Sequence, residues 1–484
     1  MAEWDVVVVG GGTAGLTAAR AARHEGARVA LIERAAALGG ECTFVGCVPS
    51  KTLIEVSRIH WALRQGARYG IHADGLRLDF GQLMAHKDAV IADISRDERH
   101  EVLAQMGITV LLGQARFVDP HRIDVGGETH RFATAVIATG SDPDVPTGIG
   151  LEQVPYLTNE TIFELRSLPR RLVVLGGGPI GLELGQAFSR LGSEVTVLHR
   201  EARLLQKEEP EVGDLVADLL RAEGVQIHLA ATVTWVARTA AGIEVQATGQ
   251  DGPVTITGDA LLVATGRAPR VAGLGLETLG IAPNPAGIAV DRTLRTAASH
   301  VYAAGDVTGQ LMFTHVASYE GRIAGQNAVR RGRRKTDYRV VPWVTFLDPE
   351  VARVGLTEDE ALARHRDVQV LWFPMSRVDR ARMLGDPRGF IKLITAARPI
   401  LGRIGGGVVV GAHIVGPHAG EIVHEVVLAM QAKVFAGRLA QAIHAYPATA
   451  VGLQQAASQA YPLGRVLAEA DPLPPHPEVD LAGR

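Results

Sequence analysis

Residues 4–16 read Trp4-Asp5-Val6-Val7-Val8-Val9-Gly10-Gly11-Gly12-Thr13-Ala14-Gly15-Leu16, an apolar run followed by a turn that carries Gly10, Gly12 and Gly15. The alanine-rich stretch Leu16 to His24 has helical character, and a second apolar run, Arg28 to Ile32, ends at Glu33. Strand, glycine turn, helix, strand and acidic end make up a dinucleotide-binding pattern. The first glycine makes the tight turn, the second admits the pyrophosphate, and the third lets helix and strand approach closely. Amides at the helix N-terminus then hold the phosphates.

The pattern recurs 166 residues on, where Leu172 to Leu175 lead into Gly176, Gly178 and Gly181, a helix through Leu191 and a strand Val195 to Leu198. Each copy later shows an apolar strand ending in Ala-Thr-Gly, at Ala138-Thr139-Gly140 and Ala264-Thr265-Gly266. The sequence therefore predicts an α/β fold with two Rossmann-like domains and two dinucleotides. The copies differ where the ribose is read. Glu33, 23 residues after Gly10, can accept bonds from ribose hydroxyls, as in FAD or NAD; the same offset from Gly176 lands on His199, followed by Arg200. A carboxylate repels a 2′-phosphate and a guanidinium binds it, so the second copy is expected to take NADPH in preference to NADH.

Composition bounds the alternatives. Of 484 residues, 47% are hydrophobic and 21% charged, and the net charge is -3, which excludes a disordered or fibrous chain and gives no overall attraction to nucleic acid. No apolar run reaches the ~18 residues of a membrane span, so neither nucleic acid nor membrane is an expected partner and a cytoplasmic location is the default. The only cysteines are Cys42 and Cys47, which excludes a disulfide scaffold and any all-cysteine metal site; no metal site is expected.

The cysteines lie in Gly39-Gly40-Glu41-Cys42-Thr43-Phe44-Val45-Gly46-Cys47-Val48-Pro49-Ser50-Lys51, within a segment that makes the first copy the longer of the two. Regular helix would rotate the two side chains to different faces, so bridging them demands an irregular turn, which Gly46 permits. Pro49 suits the first turn of a helix continuing through Ile59, placing Cys47 near a positive N-terminus that stabilises a thiolate. Lys51 would share that helical face.

With these motifs, Ala264-Thr265-Gly266-Arg267 and Tyr302-Ala303-Ala304-Gly305-Asp306, the chain resembles the pyridine nucleotide-disulfide oxidoreductases over residues 4 to 462. The resemblance implies FAD in the first copy and NAD(P)H in the second. It makes Cys47 the thiol beside the flavin, Cys42 the interchange thiol facing substrate, and Lys51 with Glu183 an ion pair beside the flavin. Gly10, Gly12, Gly15, Glu33, Lys51, Thr139, Gly140, Asp306 and His315 fall to FAD. Gly176, Gly178, Gly181, His199, Arg200, Gly266 and Arg267 fall to NADP. It further implies a split FAD domain (1–146 and 271–340), an inserted NAD(P)H domain (147–270), a C-terminal α+β dimerisation domain (341–462) that makes a homodimer, and a mobile tail (463–484).

One motif departs from the family. Where a His-Pro histidine and a glutamate five residues on supply the acid-base pair, this chain reads His444-Ala445-Tyr446-Pro447-Ala448-Thr449-Ala450-Val451, with Tyr446 and Val451 in their places. A phenol is a poor base at pH 7; His444 stands nearby as a substitute or as an interface hydrogen-bonder. The expected function is an NADPH oxidoreductase passing electrons through FAD and Cys42–Cys47 to a small disulfide, thiol-reactive or metal-ion acceptor, similar to mercuric reductase without its C-terminal cysteine pair. Dihydrolipoamide dehydrogenase and a flavin redox sensor with little turnover are the alternatives.

Overall fold

The computed structural model describes residues 3–249, 252–330, 333–400 and 402–461; the tail expected at 463–484 lies outside them. The chain forms two compact units, one of residues up to Val56 with Ala73–Leu168 and Leu262–Asp337, the other of Ser57–His72, Pro169–Leu261 and the residues from Tyr338 onward.

In the first unit, strands β1 (Trp4–Val9), β2 (Val29–Glu33), β3 (Ile108–Leu112), β4 (Ala115–Asp119), β5 (Arg122–Val125) and β6 (Glu128–Ile137) assemble in the order β3-β2-β1-β6-β5-β4, with Val301–Ala303 also paired to β6. The pairs β1–β2, β1–β6, β2–β3 and β6 with Val301–Ala303 are parallel. Val6 to Val9 are almost wholly buried, as continuous apolar runs are in parallel sheets covered on both faces. Helix α1 (Thr13–His24) buries Ala14, Leu16, Ala18, Ala19 and Ala22. It lies so close to helix Thr314–Arg330 that a Cβ on Gly321 or Gly325 would stand 2.2 Å from the carbonyl oxygen of Ala14 or Ala18. Matching 321 to 14 and 325 to 18 makes the helices parallel, so Thr314 starts its helix at the same end as the glycine turn.

In the second unit, Gln226–His228, Glu194–Leu198 and Arg171–Leu175 form a parallel ladder, extended by Ala260–Val263. Thr232–Thr239, Gly242–Gly249 and Gly252–Gly258 make an antiparallel meander. A five-stranded antiparallel sheet runs in the order Pro342–Thr345, Glu350–Gly355, Val408–Gly416, Phe390–Ala396, Val368–Pro374. Ile422, Val423 and Val426 of helix Ala419–Gln431 and Leu453, Ala456 and Ala457 of helix Val451–Ser458 join its apolar core. A buried ion network also belongs here: Arg190, 1% exposed, donates to Glu223 at 2.6 Å and to Asp348 at 2.5 Å.

Candidate functional site

Each glycine turn has the geometry that a pyrophosphate needs. Gly10 and Gly176 have φ of 107° and 122°, values open to glycine, while a Cβ on Gly15 or Gly181 would strike the carbonyl oxygen of Gly10 or Gly176 at 1.8 and 2.1 Å. Gly12 and Gly178 cap the following helices without a side-chain hydrogen bond, and a Cβ on either would meet nothing closer than 3.8 Å. The turns leave room where a ligand's phosphates approach and close up where helix meets strand, so the residues fit a dinucleotide.

The strand ends serve the turns in the same way. Glu33 accepts the Gly11 N–H through Oε2 at 2.6 Å and the Ala35 N–H through Oε1 at 2.8 Å. In the second copy His199 Nδ1 accepts the Gly177 N–H at 3.1 Å. The ring proton is therefore on Nε2, a buried atom, and burial pushes the imidazole below its usual range against the opposing pull of the Arg203 backbone. Arg200 is exposed and its Nε donates to Glu201 at 2.9 Å.

The cysteines sit on two helices rather than one. Cys42 lies on α2 (Gly40–Phe44) and Cys47 opens α3 (Cys47–Arg64); the break falls at Val45-Gly46, where a Cβ on Gly46 would stand 2.8 Å from the Glu41 carbonyl oxygen. The expected irregular turn is present, and α3 runs past Ile59 to Arg64. Both cysteines are thiols, Cys42 half-buried and Cys47 exposed. Thr314 Oγ1 is 3.3 Å from both sulfurs. The hydrogen bond to Cys47 and then burial push the Cys42 thiol well up, so Cys42 is the sulfur that keeps its proton.

Around them the first unit gathers a charged belt. Glu41 pairs with Arg267 and with Arg270 at 3.1 Å, and Ser141 Oγ donates to Asp306 at 2.6 Å. Thr139 Oγ1 donates to the Arg270 carbonyl at 2.7 Å, Gly140 has φ of 76°, and His315 stacks on Phe313 at 5.4 Å. Gly266 and Arg267, expected at the second nucleotide, lie in this first unit, because Arg267–Pro269 pairs antiparallel with Ser141–Pro143 and directs the guanidinium onto Glu41 and Ser141. The sequence reading missed Glu41, Ser141, Arg270 and the Thr314 hydroxyl. Only Thr314 had a signal, its place beside His315.

Lys51 is half-buried on α3 in the first unit. Glu183 is the fifth residue of helix Pro179–Leu191 in the second, where it is buried and accepts the Phe346 N–H at 2.8 Å. In the second unit too, Tyr446 and Val451 line one cavity of about 420 Å³ with Phe373, Arg377, Asp379 and Gln455. The Tyr446 hydroxyl donates to Asp379 Oδ2 at 3.0 Å. His444 faces two acceptors, the Ala442 carbonyl at 3.0 Å and Glu425 Oε2 at 3.1 Å.

A family model described as pyridine nucleotide-disulphide oxidoreductase matches residues 4–321, and the model of that family's dimerisation domain matches 341–457. The chain belongs to the pyridine nucleotide-disulphide oxidoreductases. The family uses FAD and NAD(P)H, and its C-terminal domain supports a homodimer. The chain is 34% identical to a mercuric reductase of Staphylococcus aureus, over 94% of this chain and 82% of that one, and 31% identical to dihydrolipoyl dehydrogenase of Bacillus subtilis, over 94% and 97%. Among solved structures it is similar to the Cu(II) complex of the HOCl-induced flavoprotein disulfide reductase RclA of Escherichia coli, with 32% identity, a TM-score of 0.81 and 93% and 98% coverage. LpdA of Mycobacterium tuberculosis is similar at 31% identity, a TM-score of 0.83 and 94% and 99% coverage. This is a flavin-dependent disulfide oxidoreductase. No helix among the described residues is long and apolar enough to cross a membrane.

Proposed function

We propose that the enzyme draws electrons from NADPH and delivers them through Cys42 and Cys47 to a small thiol-reactive acceptor, a disulfide or a soft metal ion. The observation that carries this reading is the two thiols sharing the Thr314 hydroxyl. When bound, FAD supplies the link that carries two electrons from the nicotinamide to this pair. The expected split FAD domain, inserted NAD(P)H domain and dimerisation domain are part of the same reading.

The protein's own residues account for the acceptor half-reaction. Cys42 Sγ attacks one sulfur of an acceptor disulfide, and the other sulfur leaves as a thiol with the proton Cys42 gives up. Cys47 then attacks Cys42, closing the internal disulfide and releasing the second thiol; two electrons have passed to the acceptor. Thr314 holds both sulfurs for that step. A soft cation instead binds the two thiolates directly. The names of the relatives, mercuric reductase and a Cu(II) complex of RclA, make Hg(II) and Cu(II) the first metal acceptors to try.

His199 and Arg200 support NADPH as donor. The His199 Nε2–H is a donor where Glu33 has only acceptors, and Arg200 stands exposed beside it. Steady-state oxidation of NADPH and NADH against disulfides, quinones, Cu(II) and Hg(II) tests the proposal. The expected result is NADPH-dependent turnover with a thiol-reactive acceptor, and Arg200→Ala should raise KM for NADPH several-fold while leaving that for NADH in place. No turnover with any acceptor refutes the reading.

Dihydrolipoamide oxidation is the second reading, and the His444–Glu425 pair favours it, being an acid-base pair close to the altered motif.

A further inference from the structure

We propose that Glu41 is the positioning residue of the redox pair, holding Cys42 at reacting distance from Cys47 through Arg267 and Arg270. The inference rests on the thiol chemistry of the proposed function and assigns it a part that lies outside the two cysteines.

Helix α2 has five residues, too few to be stable by its own hydrogen bonds. It follows Gly39 and Gly40, with φ of 124° and 65°, where the Gly39 N–H donates to the Gly11 carbonyl at 2.9 Å, and it ends at the Val45-Gly46 break, so backbone pairing ties it at Gly39 alone. A disulfide forms only when the two Cα atoms come within about 4.4–6.8 Å with their Cβ atoms turned together. The place of Cys42 therefore depends on bonds made from α2 to the rest of the first unit.

Three side-chain tethers surround the thiol. Thr43 Oγ1 donates to Glu98 Oε2 at 3.1 Å, Thr314 Oγ1 reaches Cys42 Sγ, and the Glu41 carboxylate holds Arg267 with one oxygen and Arg270 with the other. The third joins ion to ion and is the strongest kind of hydrogen bond available here. It is anchored at its far end. Arg267 also donates to Ser141 Oγ at 2.8 Å and to the Ser141 carbonyl at 2.9 Å. Arg270 donates to the Thr139 carbonyl at 3.0 Å and to Asp142 Oδ1 at 2.8 Å. Ser141 in turn donates to Asp306. A polar chain thus runs from the residue beside Cys42 to the aspartate expected to contact the flavin. Burial raises the Glu41 carboxyl above its ordinary range against the pull of both guanidinia, so this carboxylate is held where it costs free energy to keep. A position maintained against desolvation calls for a return, and the return is a fixed α2.

Restricting one reacting group against another raises their effective concentration, and releasing it lowers that concentration. Loss of the Glu41 tether should therefore make the Cys42–Cys47 disulfide easier to reduce. The FAD-loaded full chain, equilibrated in glutathione redox buffers, alkylated and read by mass spectrometry, measures this directly. Glu41→Gln should shift the midpoint by about tenfold in the glutathione ratio towards the dithiol, and Arg270→Lys, which keeps the charge but not the fork, by about threefold. Should Glu41→Gln fail to fold, Glu41→Asp carries the test, with a shift in the same direction. An unchanged midpoint in the folded variants overturns the proposal, and so does a fall in melting temperature with no midpoint shift, which would make Glu41 structural only. Turnover of the unmodified protein on the same preparation separates the two readings: absent turnover refutes the proposed function, whereas an unchanged midpoint with turnover intact refutes the role of Glu41 alone.

Discussion

Nδ1 of His199 accepts the N–H of Gly177 at 3.1 Å, the same service that Oε2 of Glu33 gives the N–H of Gly11 at 2.6 Å. One backbone requirement is met by two chemistries. A carboxylate accepts at either oxygen, whereas an imidazole accepting at one nitrogen must donate at the other. The turn is kept while an acceptor at the strand end is exchanged for a donor.

Replacing His199 with Glu should keep the Gly177 bond and remove the donor. The NADPH to NADH ratio of kcat/KM is expected to fall at least tenfold; a ratio unmoved would mean that His199 only supports the turn. A pH effect accompanies it. Burial lowers the folded imidazole below its unfolded value of about 6.5, so the stabilisation from the neutral ring is present above that value and is lost as pH falls through the folded one. Melting curves of the unmodified protein should therefore fall relative to His199→Glu as pH drops below about 6.5.

The fold was legible where chemistry repeats at fixed spacing. Gly10, Gly12 and Gly15 and their counterparts announce strand, turn and helix because each glycine answers a separate steric demand. The α2–α3 break was legible because two cysteines five residues apart cannot meet on one helix. Strand Glu350–Gly355 and the meander from Thr232 to Gly258 were not singled out, although alternation such as Ile243, Val245 and Ala247 carried the period of a half-buried strand. The partners of Glu41 could not be read at all. Arg267 lies 226 residues away and arrives only because its strand pairs with Ser141–Pro143. The Ala-Thr-Gly repeat grouped Arg267 with the second copy, and its position in the first unit beside Glu41 carried no signal in the spacing.

Thr314 is the next test of the site. Thr314→Val preserves shape and removes the hydroxyl bonded to both sulfurs, while Thr314→Ser keeps it. A net hydrogen bond is worth about 0.5–1.5 kcal/mol, so acceptor reduction in the valine variant should slow roughly 2- to 13-fold while the serine variant stays close to the unmodified protein. Single-turnover thiol–disulfide exchange measures it. Equal behaviour of valine and serine would remove the hydroxyl from the mechanism.

The buried network in the second unit sets its acid tolerance. Burial alone would raise the Asp348 carboxyl, but Arg190 outweighs it and holds the group below its ordinary range. A depressed carboxylate contributes stability that is present above the unfolded value of about 3.9 and is lost as pH falls through the folded one. Arg190→Leu leaves Glu223 buried without its principal cation and should cost about 3–5 kcal/mol at pH 7 in denaturant unfolding. Because Asp348 then loses the strongest of the three cations that depress it, Arg388 and Arg58 remaining, the difference between the two proteins should narrow below about pH 4. A constant difference from pH 7 to pH 3 would contradict this assignment.

The last test separates reductase from dithiol dehydrogenase. Oxidising a dithiol requires a proton to leave the attacking sulfur, and a positioned base typically contributes ~10²- to 10⁴-fold in rate. Tyr446 is ill-suited to that task, because its hydroxyl already donates to Asp379 and this bond raises the phenol above its usual range. Val451 offers no group to orient a base, yet it lines the same cavity as Tyr446. A histidine at 446 and a glutamate at 451 would thus face one space, where the glutamate could hold the imidazole in one tautomer. The double variant Tyr446→His/Val451→Glu should raise dihydrolipoamide oxidation at least tenfold while changing quinone or Cu(II) reduction less than twofold. The His444–Glu425 pair makes the opposite forecast. If it already serves as the base, the unmodified protein will oxidise dihydrolipoamide rapidly, His444→Asn will abolish that activity, and the double variant will add nothing. Both nitrogens of His444 stand against acceptors of its own unit, the Ala442 carbonyl at 3.0 Å and Glu425 at 3.1 Å, so neither is turned towards an incoming thiol. That engagement is why the slow dithiol reaction and its recovery in the double variant are the expected result.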